Sequence, residues 1–225
     1  MASQSTTSDE NQDLLAAAIE SLSAEGLVAY PTETVWGLGA CADRTLAIER
    51  LFAWKGRRGD QPLAVLVPSV EAAIRLGCRF DAPAARLARA FWPGPLTIVV
   101  PCKAGFASGV ARADGALGLR CSSHPIARSL GVALDAAGMG PLTSTSLNRT
   151  GASPAVDLAT AEAMIGEGEE EGRATPLLFV TLASGEVSDA GGSTPSSVVD
   201  CTGPTPKILR VGAIAADSLE EVWTE

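Results

Sequence analysis

The sequence predicts a single α/β domain built on a mixed β-sheet, and three observations lead there. Short apolar runs of strand length alternate with helix-length segments along the chain. Apolar residues make up 46% and charged residues 19% of the 225 positions, enough for a sizeable core and too few charges for a disordered chain. The 23 glycines and 14 prolines fall between these segments as turn punctuation, and neither an internal repeat nor a compositional linker divides the chain.

Residues 1–11 read as a disordered polar tail, with one domain over 12–225. Leu14, Leu15, Ala18, Ile19 and Leu22 share one helical face, and Gly26 is placed to end that helix. Leu27 to Tyr30 then reads as a buried strand. Asp43 is the expected N-cap of a helix reaching Trp54, and the apolar run Leu63 to Val67, bounded by Pro62 and Pro68, reads as a strand. Helices follow near Ser69 to Leu76 and Asp81 to Phe91, then strands at Leu96 to Val100 and Ala116 to Cys121. Pro125 to Ala137 reads as a helix that His124 could start, and Pro141 to Thr145 leads into a polar turn. The Glu/Gly run from Gly166 to Gly172 reads as a solvated surface insertion. Leu177 to Leu182, Ser197 to Cys201 and Ile208 to Val211 are the remaining strands, and Asp217 is placed to cap a short last helix.

Charge and cysteine usage narrow the function classes. With 17 Lys and Arg against 26 Asp and Glu the net charge is −9, which disfavours tight non-specific nucleic-acid binding by the chain as a whole but leaves room for a local basic pocket. The five cysteines never form a C-x-x-C pair, and His124 is the single histidine, so a structural zinc site is not expected. The first dozen residues carry neither a basic nor an apolar leader segment, and no run of about 18 apolar residues follows. The expectation is a reduced, cytoplasmic protein that does not cross a membrane.

Three polar stretches could carry chemistry. Tyr30 to Gly39, YPTETVWGLG, lies between a strand and a glycine-flexed segment. It reads as a tight turn or as the wall of a small-molecule pocket, whereas a dinucleotide fingerprint through Gly37 and Gly39 would need its glycines in the first turn after the strand. Lys55, Arg57 and Arg58 cluster beside Gly56 and Gly59, suiting either a phosphate site or a solvated cationic helix end. Thr143 to Gly151, TSTSLNRTG, sets hydroxyls and an amide just beyond an apolar strand, where α/β folds bind ligands, although ordinary turn chemistry uses the same residues. No nucleophile elbow and no Ser/His/Asp constellation is apparent, so covalent catalysis is not expected.

Six elements occur in a telling order: YPTETVWGLGA at Tyr30 to Ala40, Lys55-Gly56-Arg57 with Pro62-Leu63, WPGPLT at Trp92 to Thr97, LRCSSHP at Leu119 to Pro125, Ser146-Leu147-Asn148, and ILRVGAI at Ile208 to Ile214. Together they resemble the threonylcarbamoyl-AMP synthase family of YrdC-like proteins, in its short single-domain form. The resemblance implies a twisted, mostly open mixed sheet with helices packed on it around a concave cationic cavity. It also implies an enzyme, a nucleotidyltransferase that condenses L-threonine, bicarbonate and ATP, with Mg2+, to threonylcarbamoyl-AMP and pyrophosphate. Downstream transferase proteins would carry the group to tRNA, which this chain would meet only indirectly. By the same resemblance Thr32, Arg120, Ser144 and Ser196 hold L-threonine. Lys55 and Arg57, the catalytic pair, hold ATP with Ser146, Asn148 and Arg210. Trp36 stands where the family frequently has tyrosine. The alternatives are a non-catalytic RNA-binding module using the same cavity and a nucleotide-dependent oxidoreductase.

Overall fold

The computed structural model describes residues 5–58, 61–179 and 189–224, with side chains from Leu14 onward. In chain order the elements are α1 (Ser5–Ser23), β1 (Val28–Tyr30), β2 (Gly37–Gly39), α2 (Thr45–Lys55), β3 (Ala64–Leu66), α3 (Val70–Arg75), α4 (Ala82–Phe91) and β4 (Leu96–Pro101). They continue with β5 (Ala116–Arg120), α5 (Pro125–Ala136), β6 (Thr143–Ser146), α6 (Leu158–Glu170), β7 (Leu177–Leu178), β8 (Ser197–Asp200), β9 (Lys207–Arg210) and α7 (Ala216–Thr224).

Among the described residues the strands form one nine-stranded mixed sheet in the order β7-β1-β2-β6-β3-β5-β4-β8-β9. Parallel pairs join β1 to β7, β3 to β5 and β4 to β8; the other neighbours run antiparallel. Two apolar cores form. Ala18 and Leu22 of α1 meet Ile126, Leu130 and Leu134 of α5 over Val28, Leu66 and Leu142. A larger cluster buries Ile48, Leu51 and Trp54 of α2, Leu87 of α4 and Leu219 of α7 against Ile98, Val100, Leu117 and Leu119.

Most expected boundaries fall within a residue or two of the observed ones, with four differences. First, β2 was not foreseen, because Gly-Leu-Gly has little intrinsic strand preference. Its glycines are set by their neighbours: a Cβ at Gly37 would lie 2.8 Å from the Tyr30 ring, and one at Gly39 would lie 2.6 Å from Leu142. Second, two caps differ: α2 is capped at Arg44, without a side-chain hydrogen bond, rather than at Asp43, and α7 starts at Ala216, so Asp217 lies in its first turn rather than at its cap. Third, the Glu/Gly run is not a loop insertion. Helix α6 continues through Glu170, and Gly168 is buried against the Trp54 indole, where a Cβ would sit 2.9 Å from Nε1. Glutamate favours a helix, and one buried face offsets the glycine cost. Fourth, α1 takes in residues 5–11, whose polar composition alone suggests a tail. Of the strand expected at Leu177 to Leu182, residues 180–182 lie outside the described residues, as does Gly59 of the cationic stretch.

Gly212, which follows β9, shows how tightly the last strands are fixed. A Cβ there would stand 2.2 Å from the Pro195 carbonyl oxygen and 2.5 Å from the Ser196 carbonyl carbon, both backbone atoms with little room to yield. Gly212→Ala is expected to cost about 1–3 kcal/mol and to lower the Tm by about 3–10 °C. Thermal denaturation checks it, and an unchanged Tm contradicts the packing described.

Candidate active site

Strand alternation builds the site. Successive side chains point to opposite faces of a sheet, and Leu117 and Leu119 of β5 and Ile98 and Val100 of β4 go into the core. Their alternates Ala116, Gly118, Arg120, Thr97 and Val99 line a cavity of about 420 Å3 on the other face. That volume suits a small-molecule ligand. Ala64, Ala116 and Gly118 leave the floor open: Gly118 pairs with Ala64 in the sheet, and even a Cβ there would come within 3.3 Å of the Ala64 Cβ.

All nine residues singled out from the sequence line this one cavity: Thr32, Arg120, Ser144 and Ser196, and Lys55, Arg57, Ser146, Asn148 and Arg210. They come from widely separated positions. Lys55 ends α2, where Gly56 adopts the left-handed conformation at φ 59° and the amides of Gly56 and Arg57 return to the carbonyls of Ala53 and Phe52. This Schellman closure directs Lys55 toward the turn after β6. There Nζ donates to Ser146 O at 2.5 Å, Asn148 O at 2.9 Å and Asn148 Oδ1 at 3.0 Å. Ser146 Oγ donates to the same Asn148 Oδ1 at 2.6 Å, and the Asn148 amide donates to Ala152 O.

Lys55 is only 3% exposed. Burial, with repulsion from Arg57 and Arg149 added, lowers its ammonium to about 7. The three acceptors work the other way, since only the ammonium form fills all of them with N–H donors. Arg57 reaches Pro62 O at 3.1 Å.

Arg120, also in the lining, is 6% exposed. One nitrogen, Nη2, donates to Glu33 Oε1 at 2.9 Å and to Thr34 Oγ1 at 2.8 Å, while Nε is buried with no hydrogen-bond partner among the described residues. Ser122 Oγ donates to the other Glu33 oxygen. Burial alone would push Glu33 up, but the Arg120 charge and the hydrogen bonds from Ser122 and Arg120 outweigh it and hold the carboxyl below its ordinary range. Thr32 Oγ1 donates to Val35 O at 2.6 Å, lies 2.9 Å from Thr34 Oγ1 and accepts the amides of Thr34 and Val35, a hydroxyl-closed turn.

Arg210 binds the residue just before the neighbouring strand, donating from Nε and Nη2 to Ser196 O at 3.0 and 2.7 Å and from Nη2 to Ser196 Oγ at 3.1 Å. Ser196 Oγ is 3.0 Å from Thr97 Oγ1. Ser144 and Ser146 face the cavity from alternate positions of β6.

Several partners escaped the sequence reading. Arg112 is a fifth cation in the lining, held by Asp200 at 2.6 Å and by Asp114 at 2.6 and 2.8 Å. Asp189 accepts the Trp36 indole N–H at 2.8 Å and the Leu158 amide at 3.1 Å, and its carbonyl lies 3.0 Å from His124 Nε2. His124 caps α5 by accepting the Ile126 amide at Nδ1, which leaves Nε2 carrying the proton toward Asp189; burial lowers its pKa. A signal for Glu33 was present, as a carboxylate flanked by threonines beside a buried strand. Arg112 and Asp189 gave none: Asp200, which ties Arg112 to β8, and Trp36, the partner of Asp189, lie far away in sequence.

Gly37 and Gly39 sit in a strand rather than in a turn opening a helix, so the geometry for dinucleotide binding through these glycines is absent. Among the described residues no three His, Cys, Asp or Glu side chains are grouped to hold a metal ion, and no helix is long and apolar enough to cross a membrane.

Comparison with known proteins supplies the relationship. A threonylcarbamoyl-AMP synthase of Chromohalobacter salexigens is 38% identical over 185 residues, covering 79% of this chain and 97% of its own length. The structure of Pyrococcus abyssi Sua5 complexed with L-threonine matches with a TM-score of 0.79 at 28% identity, over 94% of this chain. The match takes up 57% of that longer chain. Escherichia coli YciO shares the fold, with a TM-score of 0.70 at 21% identity and 93% of each chain covered. The family model for Sua5, YciO and YrdC, described as telomere recombination, matches residues 20–212. The chain therefore belongs to the Sua5, YciO and YrdC family.

Proposed function

We propose that this protein is an L-threonylcarbamoyladenylate synthase, joining L-threonine, bicarbonate and ATP. The observation that carries the reading is the convergence of Lys55, Arg57, Arg210 and the Ser146–Asn148 turn with Arg120, Thr32, Ser144 and Ser196 around one cavity. The relatives named as threonylcarbamoyl-AMP synthases support it, as does the Pyrococcus protein crystallised with L-threonine.

In this reading Arg120 receives the threonine carboxylate. Its guanidinium lines the cavity and offers the forked N–H donors that a carboxylate pairs with. The neutral amine of threonine attacks bicarbonate, forming a carbamate and releasing water. A carbamate oxygen then attacks the α-phosphorus of ATP, and the bond to the β,γ-pyrophosphate breaks. Charge builds on the departing phosphates, and in this reading Lys55, Arg57 and Arg210 offset it, so positioning and electrostatics replace acid–base side chains. The lining includes no carboxylate among the described residues. Magnesium would therefore enter as part of the nucleotide substrate, held by phosphate oxygens, and would neutralise part of their charge.

Cytoplasmic location and transfer of the product to tRNA by other proteins belong to the same proposal. The RNA-binding alternative is less favoured: Arg120 and Arg112 are already paired with carboxylates, and the chain carries a net charge of −9. Purified protein with MgATP should release pyrophosphate only when threonine and bicarbonate are both present. Release that ignores threonine would overturn the assignment.

A further inference from the structure

All five cysteines are free thiols, yet only two of them meet. Cys78 follows α3 and Cys102 follows β4, and they face each other across an isolated antiparallel bridge. The Lys103 amide donates to Gly77 O at 3.1 Å and the Arg79 amide to Pro101 O at 2.9 Å. Those bonds flank the cysteines instead of joining them, so the two occupy a non-hydrogen-bonded position. Such positions set Cα atoms about 4.5 Å apart and bring side chains closest. This falls inside the ~4.4–6.8 Å range that a disulfide spans. Cys78 is buried, Cys102 is half-buried, and the Cys78 thiol donates to Cys102 Sγ at 2.7 Å.

The surroundings also set the pair apart chemically. The hydrogen bond from Cys78 stabilises a Cys102 thiolate; with help from the amides of Lys103 and Ala104 it outweighs burial and lowers that thiol to about 7, while Cys78 is raised. Burial pushes Cys41 and Cys201 up to about 12 and raises Cys121 as well. A thiolate is the reactive form, and here it lies beside a second thiol able to resolve the product.

We propose that Cys78 and Cys102 are a reversible redox modification site whose oxidant is a hydroperoxide. The Cys102 thiolate attacks a peroxide oxygen, breaking the O–O bond and leaving a sulfenic acid and one hydroxide or alkoxide. Cys78 then attacks the sulfenic sulfur, forming the S–S bond and expelling hydroxide, which takes up the Cys78 proton as water. The two thiols lose two electrons, the peroxide gains them, and a dithiol reductant reverses the change. The cross-link encloses α4 and β4, the strand that carries Thr97 and Val99 of the cavity. It removes freedom from the unfolded chain and stabilises the wall of the site under oxidising conditions. None of this depends on which reaction the cavity performs.

The test treats the reduced full chain with hydrogen peroxide and measures intact mass, a non-reducing peptide map and Tm. The expected result is a loss of two hydrogens, a linked peptide pair containing Cys78 and Cys102, and a Tm rise on the order of 5–10 °C that dithiothreitol abolishes. Cys78→Ala and Cys102→Ser should each prevent the hydrogen loss. Addition of oxygen without a link, a link through another cysteine, an unchanged Tm, or no reaction would each overturn the proposal. The wild-type peptide map decides the matter even if a variant fails to fold.

Discussion

Replacing Lys55 with methionine should reduce threonine-dependent pyrophosphate release by about 100-fold or more, the effect of losing one preorganised donor to a developing anion, roughly 2.7–4 kcal/mol. Methionine keeps most of the buried stem and removes the ammonium. The loss should be larger than contact with the nucleotide alone would give, because Lys55 also holds Ser146 O and both oxygens of Asn148. Steady-state kinetics checks this, and turnover near the wild-type rate would remove Lys55 from the site.

The pH dependence follows with a definite sign. In the free protein the Lys55 ammonium sits at about 7, below its ordinary 10.5. The cost of burying the cation is therefore present in full below pH 7 and disappears as pH rises toward 10.5. A bound triphosphate stabilises the ammonium and raises its pKa. Nucleotide binding at about pH 8 should then take up close to one proton, and binding at about pH 6 almost none. Calorimetry in two buffers of different ionisation enthalpy measures this uptake. A binding enthalpy independent of buffer at the higher pH would contradict it.

Arg120 carries the second large effect. Arg120→Ala should raise the threonine KM by about 100-fold, in line with the 2–5 kcal/mol for truncating one partner of a buried, hydrogen-bonded charge pair. It should also destabilise the fold by about 3–5 kcal/mol, because Glu33 would remain buried without its cation. Glu33→Gln separates the two roles. It leaves the guanidinium in place but releases its anchor, so threonine affinity should fall about tenfold, one charge-assisted hydrogen bond, while ATP affinity stays unchanged. Glu33 is held below the ordinary carboxylate range, so the pair's contribution to stability is present above that range. It is lost as pH falls through the lowered folded value. Equal loss of threonine and ATP binding in Glu33→Gln would mean that Glu33 supports the fold and does not orient Arg120.

The scaffold was legible where burial leaves a simple pattern. Leu96 to Val100 and Ala116 to Cys121 read as strands because one full face of each lies in the core. Strand β2 was hidden because Gly-Leu-Gly carries no strand signal of its own and Gly39 answers to Leu142, a contact that no local window contains. The end of α6 was hidden for a related reason: Gly168 is helical because Trp54 lies against it. Seven of the nine candidate site residues lie in the ordered motifs, each a short local string, whereas Ser144 and Ser196 stand outside them and follow only from the resemblance. The pairings that support them were not legible, since Glu33 and Arg120, Trp36 and Asp189, and Arg112 and Asp200 are joined only by the fold.

The most direct test is a crystal structure of the protein soaked with L-threonine and a non-hydrolysable ATP analogue. The account predicts the amino-acid carboxylate on Arg120 and the phosphate chain among Lys55, Arg57 and Arg210, with the α-phosphorus nearest the threonine amine. A phosphate chain bound away from these cations, or threonine outside the cavity, would contradict it.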